Sequence, residues 1–204
     1  MVAVAAEAGM THANVYRYFP SKDALLDAVA GRWLRERFAA QPGQFVTLEL
    51  EIDGQPIMRS YTISSSPSVP YSFSITIKRV PGGKVSNWLH DNLKEGDEVP
   101  VHGPVGLFNA IDFPSEKVLY LSGGVGITPV MSMARWFYDT NANVDMIFVH
   151  SARSPGDVIF RRELAALPET GLSVRVAVVC EDDGPTPTLN RSKTDRNMAA
   201  LSPS

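Results

Sequence analysis

One short segment combines side chains that could bind a flat, phosphorylated cofactor. Arg59-Ser60-Tyr61-Thr62 has the pattern of an extended strand, in which Arg59 shares one face with Tyr61 and Ser60 shares the other with Thr62. An arginine can pair bidentately with a pyrophosphate, and a tyrosine ring can pack against a heterocycle. A solvated arginine beside a core tyrosine explains the same four residues, so the segment alone leaves both interpretations open.

A glycine-rich turn, Gly123-Gly124-Val125-Gly126-Ile127-Thr128-Pro129, is the second candidate. Thr128 stands where a helix N-cap belongs, and Pro129 stands where the first helical residue belongs. Glycines let a ligand approach the backbone, and a helix N-terminus offers N–H groups and partial positive charge to a phosphate. The turn therefore suits a dinucleotide, although the third glycine of the G-x-G-x-x-G fingerprint is absent. A plain tight turn is an equally good interpretation of this feature alone.

The third candidate runs from Gly83 to Leu89, where a glycine turn leads into a helix that Ser86 could cap and that would extend to Leu93. Such a helix start accepts anions. An ordinary capped helix is the simpler interpretation of this segment on its own.

Composition narrows the classes of function. The chain has 204 residues, 44% of them hydrophobic, and a net charge of -3 gives no general attraction to nucleic acid or to an anionic membrane. The single cysteine, Cys180, excludes an internal disulfide and a self-contained iron–sulfur cluster. No apolar run is long enough to span a bilayer, and we expect a cytoplasmic protein. The histidines lack metal-ligand spacing, which predicts no metal site and surface or hydrogen-bonded roles for His12, His90, His102 and His150.

Four regions differ in pattern along the chain. Residues 1–38 are alanine-rich and indicate helices, residues 41–114 alternate and turn frequently, residues 115–182 alternate strand and helix, and residues 183–204 predict a loose, flexible tail. The second region predicts a small antiparallel barrel and the third a parallel sheet. We therefore expect a multi-domain chain of the α+β and α/β classes.

Alternation defines the strands of the second region. Residues 45–52 alternate, Asp53-Gly54 is typical of a type I′ hairpin turn, and residues 57–63 would return. Residues 71–77 and 99–102 are predicted as two further strands.

The third region has a βαβαβ pattern. Strands are predicted at residues 118–121, 146–149 and 174–179, with helices at 127–138 and 159–167. The unbroken apolar run at 118–121 predicts a strand covered on both faces.

In this order, the motifs resemble the ferredoxin-reductase-like family of flavoprotein oxidoreductases over residues 41–180, and in particular NADH-dependent reductase components that supply electrons to oxygenases. The resemblance implies an FAD-binding antiparallel barrel followed by an NAD(P)-binding α/β domain. The matching pieces are Pro42-Gly43-Gln44-Phe45, Arg59-Ser60-Tyr61-Thr62, Ile77-Lys78-Arg79, residues 83–89, His102-Gly103-Pro104-Val105-Gly106, residues 123–129 and His150-Ser151-Ala152-Arg153.

The resemblance also implies roles for individual residues. Two threonines take the catalytic positions: Thr62 would reach toward flavin N5, and Thr128 would lie where the nicotinamide enters. FAD would be bound by Arg59 at the pyrophosphate, by Tyr61 against the isoalloxazine, by Ser60 and Thr62, and by Lys78, Gly83, Val85 and Ser86 along the ribityl and pyrophosphate groups. The nicotinamide dinucleotide would contact Gly124, Gly126 and Thr128, with Ser151 and Arg153 near its adenosine ribose.

The implied activity is hydride transfer from NADH or NADPH to FAD, followed by single-electron transfer. Arg153 does not decide between the two nicotinamides. Because one cysteine cannot hold a cluster, the electrons would go to a separate acceptor, a ferredoxin or an oxygenase component, or a small molecule.

Two departures from the family pattern are expected to matter. Barrel strand sequence before Pro42 is replaced by residues 1–38, which would leave the barrel incomplete and its edge unpaired. Beyond Cys180 the family continues with more strands and a Cys-Gly-Pro motif, whereas this chain enters a polar tail. We therefore expect a truncated NAD-binding domain.

Residues 1–34 resemble a different family, the TetR-type transcriptional repressors, through the segments 4–10 and 14–22. That resemblance implies DNA contacts near Thr11, Tyr16 and Lys22. The nearly balanced charge and the lack of a dimerising domain argue against DNA binding, and a helical cap over the open barrel is an equally good interpretation. A DNA-binding regulator and an inactive fused or truncated product are the alternative interpretations.

Overall fold

The computed structural model describes residues 21, 24, 40–69 and 72–183. The helical start and the DNA-contact residues Thr11, Tyr16 and Lys22 lie outside the described residues, as does almost all of the predicted tail. Contacts divide the chain into a unit of residues 1–39 with 69–72 and a larger unit, residues 40–68 and 73–204. The fold below is that of the larger unit.

The first half of this unit is a three-stranded antiparallel sheet. It consists of β1 (Phe45–Ile52), β2 (Gln55–Thr62) and β3 (Val101–Val105) in the order β2-β1-β3. Alternation in β1 places apolar side chains on one buried face, as predicted: Val46, Leu48, Leu50 and Ile52.

The turn between β1 and β2 is the one predicted from its two residues. Asp53 and Gly54 have φ values of 55° and 68°, the positive values that a type I′ turn requires. This turn fixes the register, in which Ile52 pairs with Gln55 and Phe45 with Thr62.

The predicted strand at residues 71–77 is wrong for its described part. Among residues 72–80, pairing is limited to one bridge, between Ile63 and Ile75. A backbone bond remains, from the Ser64 N–H to the Ser74 carbonyl at 2.7 Å, but the Ser74 N–H donates to the side-chain Oγ of Ser65 at 2.9 Å. Within the described residues the sheet keeps two edges, β2 and β3, and does not close into a barrel.

The last strand of this sheet is also displaced from its prediction. β3 covers Val101–Val105, whereas residues 99–102 were expected, because pairing with β1 continues past Gly103 to Val105 through an irregularity opposite Phe45 and Thr47.

A short helix, α1 (Lys84–Asn92), covers the buried face of this sheet. Its buried Val85 and Leu89 pack against the apolar side chains of β1. The predicted cap is wrong: Gly83 is the N-cap, and Ser86 Oγ instead accepts the Val80 N–H at 3.2 Å.

The second half is the predicted βαβαβ unit. Parallel strands β4 (Lys117–Gly123), β5 (Asp145–Ala152) and β6 (Ser173–Cys180) lie in the order β4-β5-β6, with helices α2 (Ile127–Asp139) and α3 (Arg161–Ala166) between them. The core between sheet and helices is strongly apolar; its most buried members are Ile127, Met131, Ala134, Met146, Phe148 and Leu164. No helix in the described residues is long and apolar enough to cross a membrane.

β4 is covered on one face only, contrary to the prediction. Tyr120 packs edge-on against Phe148 beneath α2, with ring centroids 6.1 Å apart. Leu119 and Leu121 point the other way and are 59% and 68% exposed. Four consecutive apolar residues are therefore shared between one buried and one exposed face.

The close approach of the two halves requires glycine at position 43. A Cβ built there would lie 2.3 Å from the Phe108 carbonyl oxygen and 2.4 Å from the Met133 methyl, and φ is +102°. Pro42-Gly43 thus lets the start of the antiparallel half pass directly against α2.

His150 departs from the prediction of a surface or fully hydrogen-bonded histidine. It is completely buried in β5, and its Nδ1 lies 2.9 Å from Ser122 Oγ. Its Nε2 has no hydrogen-bond partner among the residues that the structure describes. Burial disfavours the charged ring, so the pKa of His150 is lowered from its usual value.

This burial predicts a pH dependence of stability. Because the folded pKa lies below the unfolded value of about 6.5, the unfolded chain binds more protons between the two. The contribution of His150 to the free energy of unfolding is fully present above pH 6.5. It is lost as the pH falls from 6.5 toward the folded pKa, at a slope of up to about 1.4 kcal/mol per pH unit. Urea titrations from pH 7.5 to 5 should show this fall, and His150→Gln should flatten it. The matched His102→Gln, at an exposed ring paired with Glu49, should keep it; an equal slope in His150→Gln would contradict the assignment.

Candidate active site

A cleft of about 580 Å³ opens between β2, the segment leading into α1, and the turn before α2. Its volume falls within the roughly 300–1,000 Å³ range of small-molecule sites. The residues that line it are Arg59, Ser60, Tyr61, Thr62, Thr76, Ile77, Lys78, Val80, Gly83, Lys84, Val85, Ser86, Val125, Gly126, Thr128 and Pro129.

All four residues of the Arg59-Ser60-Tyr61-Thr62 segment reach the cleft. They were predicted to alternate between two faces, but β2 is an edge strand, so the cleft can wrap around its free side. The Arg59 guanidinium is exposed and donates to the Met58 carbonyl at 3.1 Å. Partial burial raises the pKa of the half-buried Tyr61, against the opposing effect of Arg59, and keeps its phenol neutral.

A second wall combines Lys78 with the start of α1. Lys78 Nζ lies 2.9 Å from Asp157 Oδ1, in the loop after β5. Hydrogen bonds from Lys78 and Ser154 lower the pKa of Asp157. No side chain caps the N-terminus of α1 at Gly83, so this helix start can accept an anion.

The third wall is the glycine turn. Gly124–Gly126 forms a 3-10 turn that continues directly into α2, so Gly126 is the N-cap. The predictions that Thr128 caps the helix and that Pro129 begins it are therefore wrong by two residues. Thr128 lies buried in the first turn, where its Oγ1 donates to the Val125 carbonyl at 3.1 Å.

The turn leaves its backbone open to a ligand. A Cβ built at Gly126 or at Gly124 would meet no atom within 4 Å, and Gly124 has a φ of +51° that favours glycine. The glycines are thus not needed for packing against other parts of the protein, which is what a site of close ligand approach requires.

Three predicted residues lie beside the cleft and do not line it: Gly124, Ser151 and Arg153. Gly123 pairs in register with Ser151 at the ends of the parallel strands β4 and β5, and Arg153 follows immediately. Ser151 and Arg153 are exposed. The three therefore mark the carboxyl edge of the sheet, where dinucleotides bind in open α/β folds.

Several lining residues were given no role from the sequence. Lys84 and Val125 lie inside the motifs, Thr76 and Val80 flank Ile77-Lys78-Arg79, and all four line the cleft. The Lys78–Asp157 pair joins positions 79 residues apart and has no local pattern. In 40–69 and 72–183, no group of three or more His, Cys, Asp and Glu side chains could hold a metal ion.

The residues present fit a flat, phosphorylated cofactor. One wall supplies a solvent-facing guanidinium and a half-buried ring, a second supplies a lysine and a helix start, and the third supplies open glycine backbone. A second dinucleotide could reach the same cleft along the carboxyl edge of the parallel sheet.

Comparisons with protein-family models divide the chain in the same way. Residues 33–110 match the oxidoreductase FAD-binding domain, and residues 120–200 match the oxidoreductase NAD-binding domain. Residues 1–29 match the model of bacterial regulatory proteins of the tetR family.

Known proteins give the same picture. The glycine betaine monooxygenase reductase subunit of Pseudomonas aeruginosa (strain UCBPP-PA14) is 77% identical over 147 residues, which are 72% of this chain and 40% of that protein. The stachydrine N-demethylase reductase subunit of Rhizobium meliloti (strain 1021) is 38% identical over 148 residues, covering 72% of this chain and 42% of that protein. This chain thus spans about two fifths of the length of these relatives.

A solved structure supports the fold. The flavohem-like FAD/NAD-binding domain of nitric oxide dioxygenase from Vibrio cholerae O1 biovar El Tor superposes with a TM-score of 0.61 at 27% identity. The match covers 70% of this chain and 62% of that one. Both halves of the larger unit therefore have the arrangement of an FAD- and NAD-binding oxidoreductase.

Proposed function

We propose that the chain, which matches the oxidoreductase FAD-binding domain over residues 33–110 and the oxidoreductase NAD-binding domain over residues 120–200, oxidises NADH or NADPH through FAD bound in its cleft. The observation that carries the proposal is the cleft itself. The arginine–tyrosine strand and the glycine turn, 60 or more residues apart in sequence, line one cavity.

On the β2 side, the exposed guanidinium of Arg59 would pair with the FAD pyrophosphate, exchanging its bond with the Met58 carbonyl. Tyr61 packs against the isoalloxazine as a neutral ring. Ser60 and Thr62, the neighbours of Tyr61 in the cleft lining, would also contact the cofactor, and Thr62 would serve the flavin N5 position.

Across the cleft, Lys78 and the start of α1 hold the ribityl and pyrophosphate groups. Gly83, Val85 and Ser86 supply the backbone and hydroxyl at that helix start. Lys78 would exchange Asp157 for a phosphate, which costs little because surface ion pairs are weak.

The nicotinamide dinucleotide enters from the carboxyl edge of the parallel sheet. Gly124 and Gly126 let its pyrophosphate approach the backbone, and Ser151 and Arg153 lie near the adenosine ribose. Thr128 stands at the inner end of this path and would orient the nicotinamide against the flavin.

When bound, FAD supplies the hydride acceptor and can pass electrons on one at a time. The protein's part is geometric: Thr62 and Thr128, which both line the cleft, would orient the flavin and the nicotinamide toward each other. No side chain has to act as a general acid. The lining also includes the apolar side chains of Ile77, Val80 and Val125, against which the bound rings would pack.

The electron acceptor is proposed to be a separate protein, a ferredoxin or an oxygenase component. Two of the relatives are named as reductase subunits of a monooxygenase and of a demethylase. The chain's one cysteine cannot supply the ligands of an iron–sulfur cluster, so the next redox centre would lie on the partner.

The domain boundaries remain a proposal as well. We assign residues 41–114 to the FAD-binding half and residues 115–182 to the NAD-binding half. The barrel of the first half is incomplete within this chain, and the second half is truncated. Residues 1–38 are assigned to a TetR-like helix-turn-helix fragment, with a helical cap as the alternative role, and 183–204 to a flexible tail. The match of residues 1–29 to the tetR model keeps DNA binding as the competing role for the first segment, and a gel-shift titration on inverted-repeat DNA would separate the two.

Reduction of an artificial dye tests the proposed activity. The purified chain, incubated with FAD and freed of excess, should reduce ferricyanide at the expense of NADH or NADPH, and rates with the two should identify the preferred nicotinamide. Thr128→Val, which keeps the shape and removes the hydroxyl, should lower the rate. Dye reduction no faster than that of free FAD would contradict the proposal.

A further inference from the structure

Three polar contacts join α2 to the segment that leaves β2, residues Ser64–Ser68, here called the serine segment. Ser132 Oγ donates to one backbone carbonyl of the segment at 2.7 Å. Arg135 Nη1 donates to the preceding carbonyl, and Asp139 accepts from the segment's last hydroxyl. Spacings of three and four residues place these side chains on one face of α2.

Arg135 is the most constrained of the three. Its Nε and Nη2 donate to the two carboxylate oxygens of Glu163, each at 2.6 Å. The ring of Phe160 lies over the guanidinium, 4.6 Å from its carbon. The Arg135 side chain is 24% exposed. Its two bonds with Glu163 and the Phe160 ring over its plane fix the guanidinium, so Nη1 has one orientation.

The carbonyl that accepts from Arg135 belongs to Ser64, which lies between two walls of the cleft. Thr62, which lines the cleft, is two residues earlier in the chain. The Ser64 hydroxyl lies 2.9 Å from the Thr76 hydroxyl, and Thr76 lines the cleft from the second wall. Ser64 is itself 1% exposed and cannot move without disturbing both.

The other end of the contact is the helix that carries the third wall. Thr128 precedes Arg135 by seven residues, about two turns of α2. The β2 wall and the glycine turn are therefore connected through α2 and its three polar contacts with the serine segment, and the Arg135 bond is the one that reaches the Ser64 carbonyl.

We propose that Arg135 is a positioning residue that sets the width of the cleft by fixing α2 to the Ser64 carbonyl. The inference rests on the proposed function in one respect, because bound FAD is the molecule whose spectra detect a change in the width of the cleft. Glu163 supports this bond by holding the Arg135 guanidinium. Because Glu163 lies in α3, the Arg135–Glu163 pair also connects α2 to the helix that follows the loop of Ser151 and Arg153.

Arginine is required for this arrangement. Its planar fork satisfies the carboxylate with two N–H groups and still presents a third toward the carbonyl. A lysine keeps the charge, but its single ammonium cannot make both contacts with this geometry. Arg135→Lys therefore changes the position of α2 with little change in charge.

The chain offers a matched control in Arg175. It forms a half-buried pair with Asp145, with side-chain exposures of 22% and 36%, against 24% and 38% for Arg135 and Glu163. Arg175 and Asp145 lie near the amino ends of β6 and β5, at the opposite edge of the parallel sheet from the glycine turn. Arg175→Lys should cost similar stability without touching the cleft.

The experiment compares full-length wild type, Arg135→Lys and Arg175→Lys at saturating FAD. We expect Arg135→Lys to change the visible circular dichroism and the fluorescence quenching of bound FAD, and to slow flavin reduction at saturating NADH by about tenfold, since small displacements of reacting groups are costly. Arg175→Lys should match wild type in both, at a similar loss in melting temperature.

Identical spectra and rates in the two lysine variants would overturn the inference and leave the proposed function intact. Wild type that binds no FAD would overturn both. If Arg135→Lys does not fold, Glu163→Gln replaces it, because it frees the guanidinium and should shift the spectra in the same direction; Glu163→Gln with wild-type spectra would then overturn the inference.

Discussion

Arg59→Ala is expected to weaken FAD binding by about ten- to a hundredfold and to leave folding intact. A hydrogen bond to a charged group contributes about 1.5–3 kcal/mol, and a bidentate pair with a pyrophosphate belongs at the upper end of that range. Arg59 is exposed on an edge strand, with its guanidinium near the Met58 carbonyl, so the protein itself loses little. Titration of FAD followed by flavin fluorescence quenching measures the change.

Arg79→Ala is the matched control for this variant. Arg79 follows Lys78 in the chain, but its guanidinium pairs with Asp91 at 2.6 Å and does not line the cleft. Arg79→Ala removes the same net charge from the same half of the molecule as Arg59→Ala. Because Arg79 does not line the cleft, this variant should leave FAD affinity unchanged. Equal losses in both variants would mean that general charge, and not the cleft, attracts the cofactor.

Gly126→Val is expected to raise the NADH concentration needed for half-maximal flavin reduction by about tenfold or more. The backbone at Gly126 has a φ of -64°, which any residue can adopt, and an added Cβ would meet no atom within 4 Å. The folded protein thus tolerates the side chain, and its bulk is felt by a ligand that approaches the turn, at a cost like that of overpacking, about 1–3 kcal/mol. Anaerobic stopped-flow reduction over a range of NADH concentrations measures the effect.

Gly126→Ala provides the graded comparison. Its smaller side chain should give a smaller rise in the NADH requirement, while FAD affinity stays near that of wild type in both variants. A loss of FAD affinity as large as the loss of NADH affinity would contradict the assignment of this turn to the dinucleotide.

Local patterns were enough to predict much of the fold. Asp53-Gly54 specifies its turn because few residue pairs accept two positive φ values. Alternation in β1 and the βαβαβ order were likewise readable, since each depends on residues close in sequence. The apolar run at Val118–Leu121 misled, because its composition is the same whether a neighbouring layer covers one face or two, and Leu119 and Leu121 are exposed.

The serine segment and His150 show what short-range patterns miss. Side-chain hydroxyls of the segment take over bonds that a strand would make, so the alternation at 71–77 did not produce the predicted ladder. His150 is buried in a strand beside β4, where Ser122 contacts its ring, and no spacing of histidines encodes that position.

The motifs predicted the residues that line the cleft, but they did not predict the contacts that hold its walls in position. Arg59, Tyr61 and Gly126 stand in recognisable strings and do line one cavity. The Arg135–Glu163 contact joins residues 28 apart on two helices, and neither is part of a motif. Such contacts arise from packing after the fold has formed, and only coordinates reveal them.

Anaerobic titration of the FAD-loaded chain with NADH tests the central claim most directly. The account predicts that purified protein incubated with FAD and passed through a desalting column stays yellow, and that about one NADH per bound flavin bleaches its visible absorbance. Protein that emerges colourless, or bound flavin whose absorbance persists in excess NADH and NADPH, would contradict it.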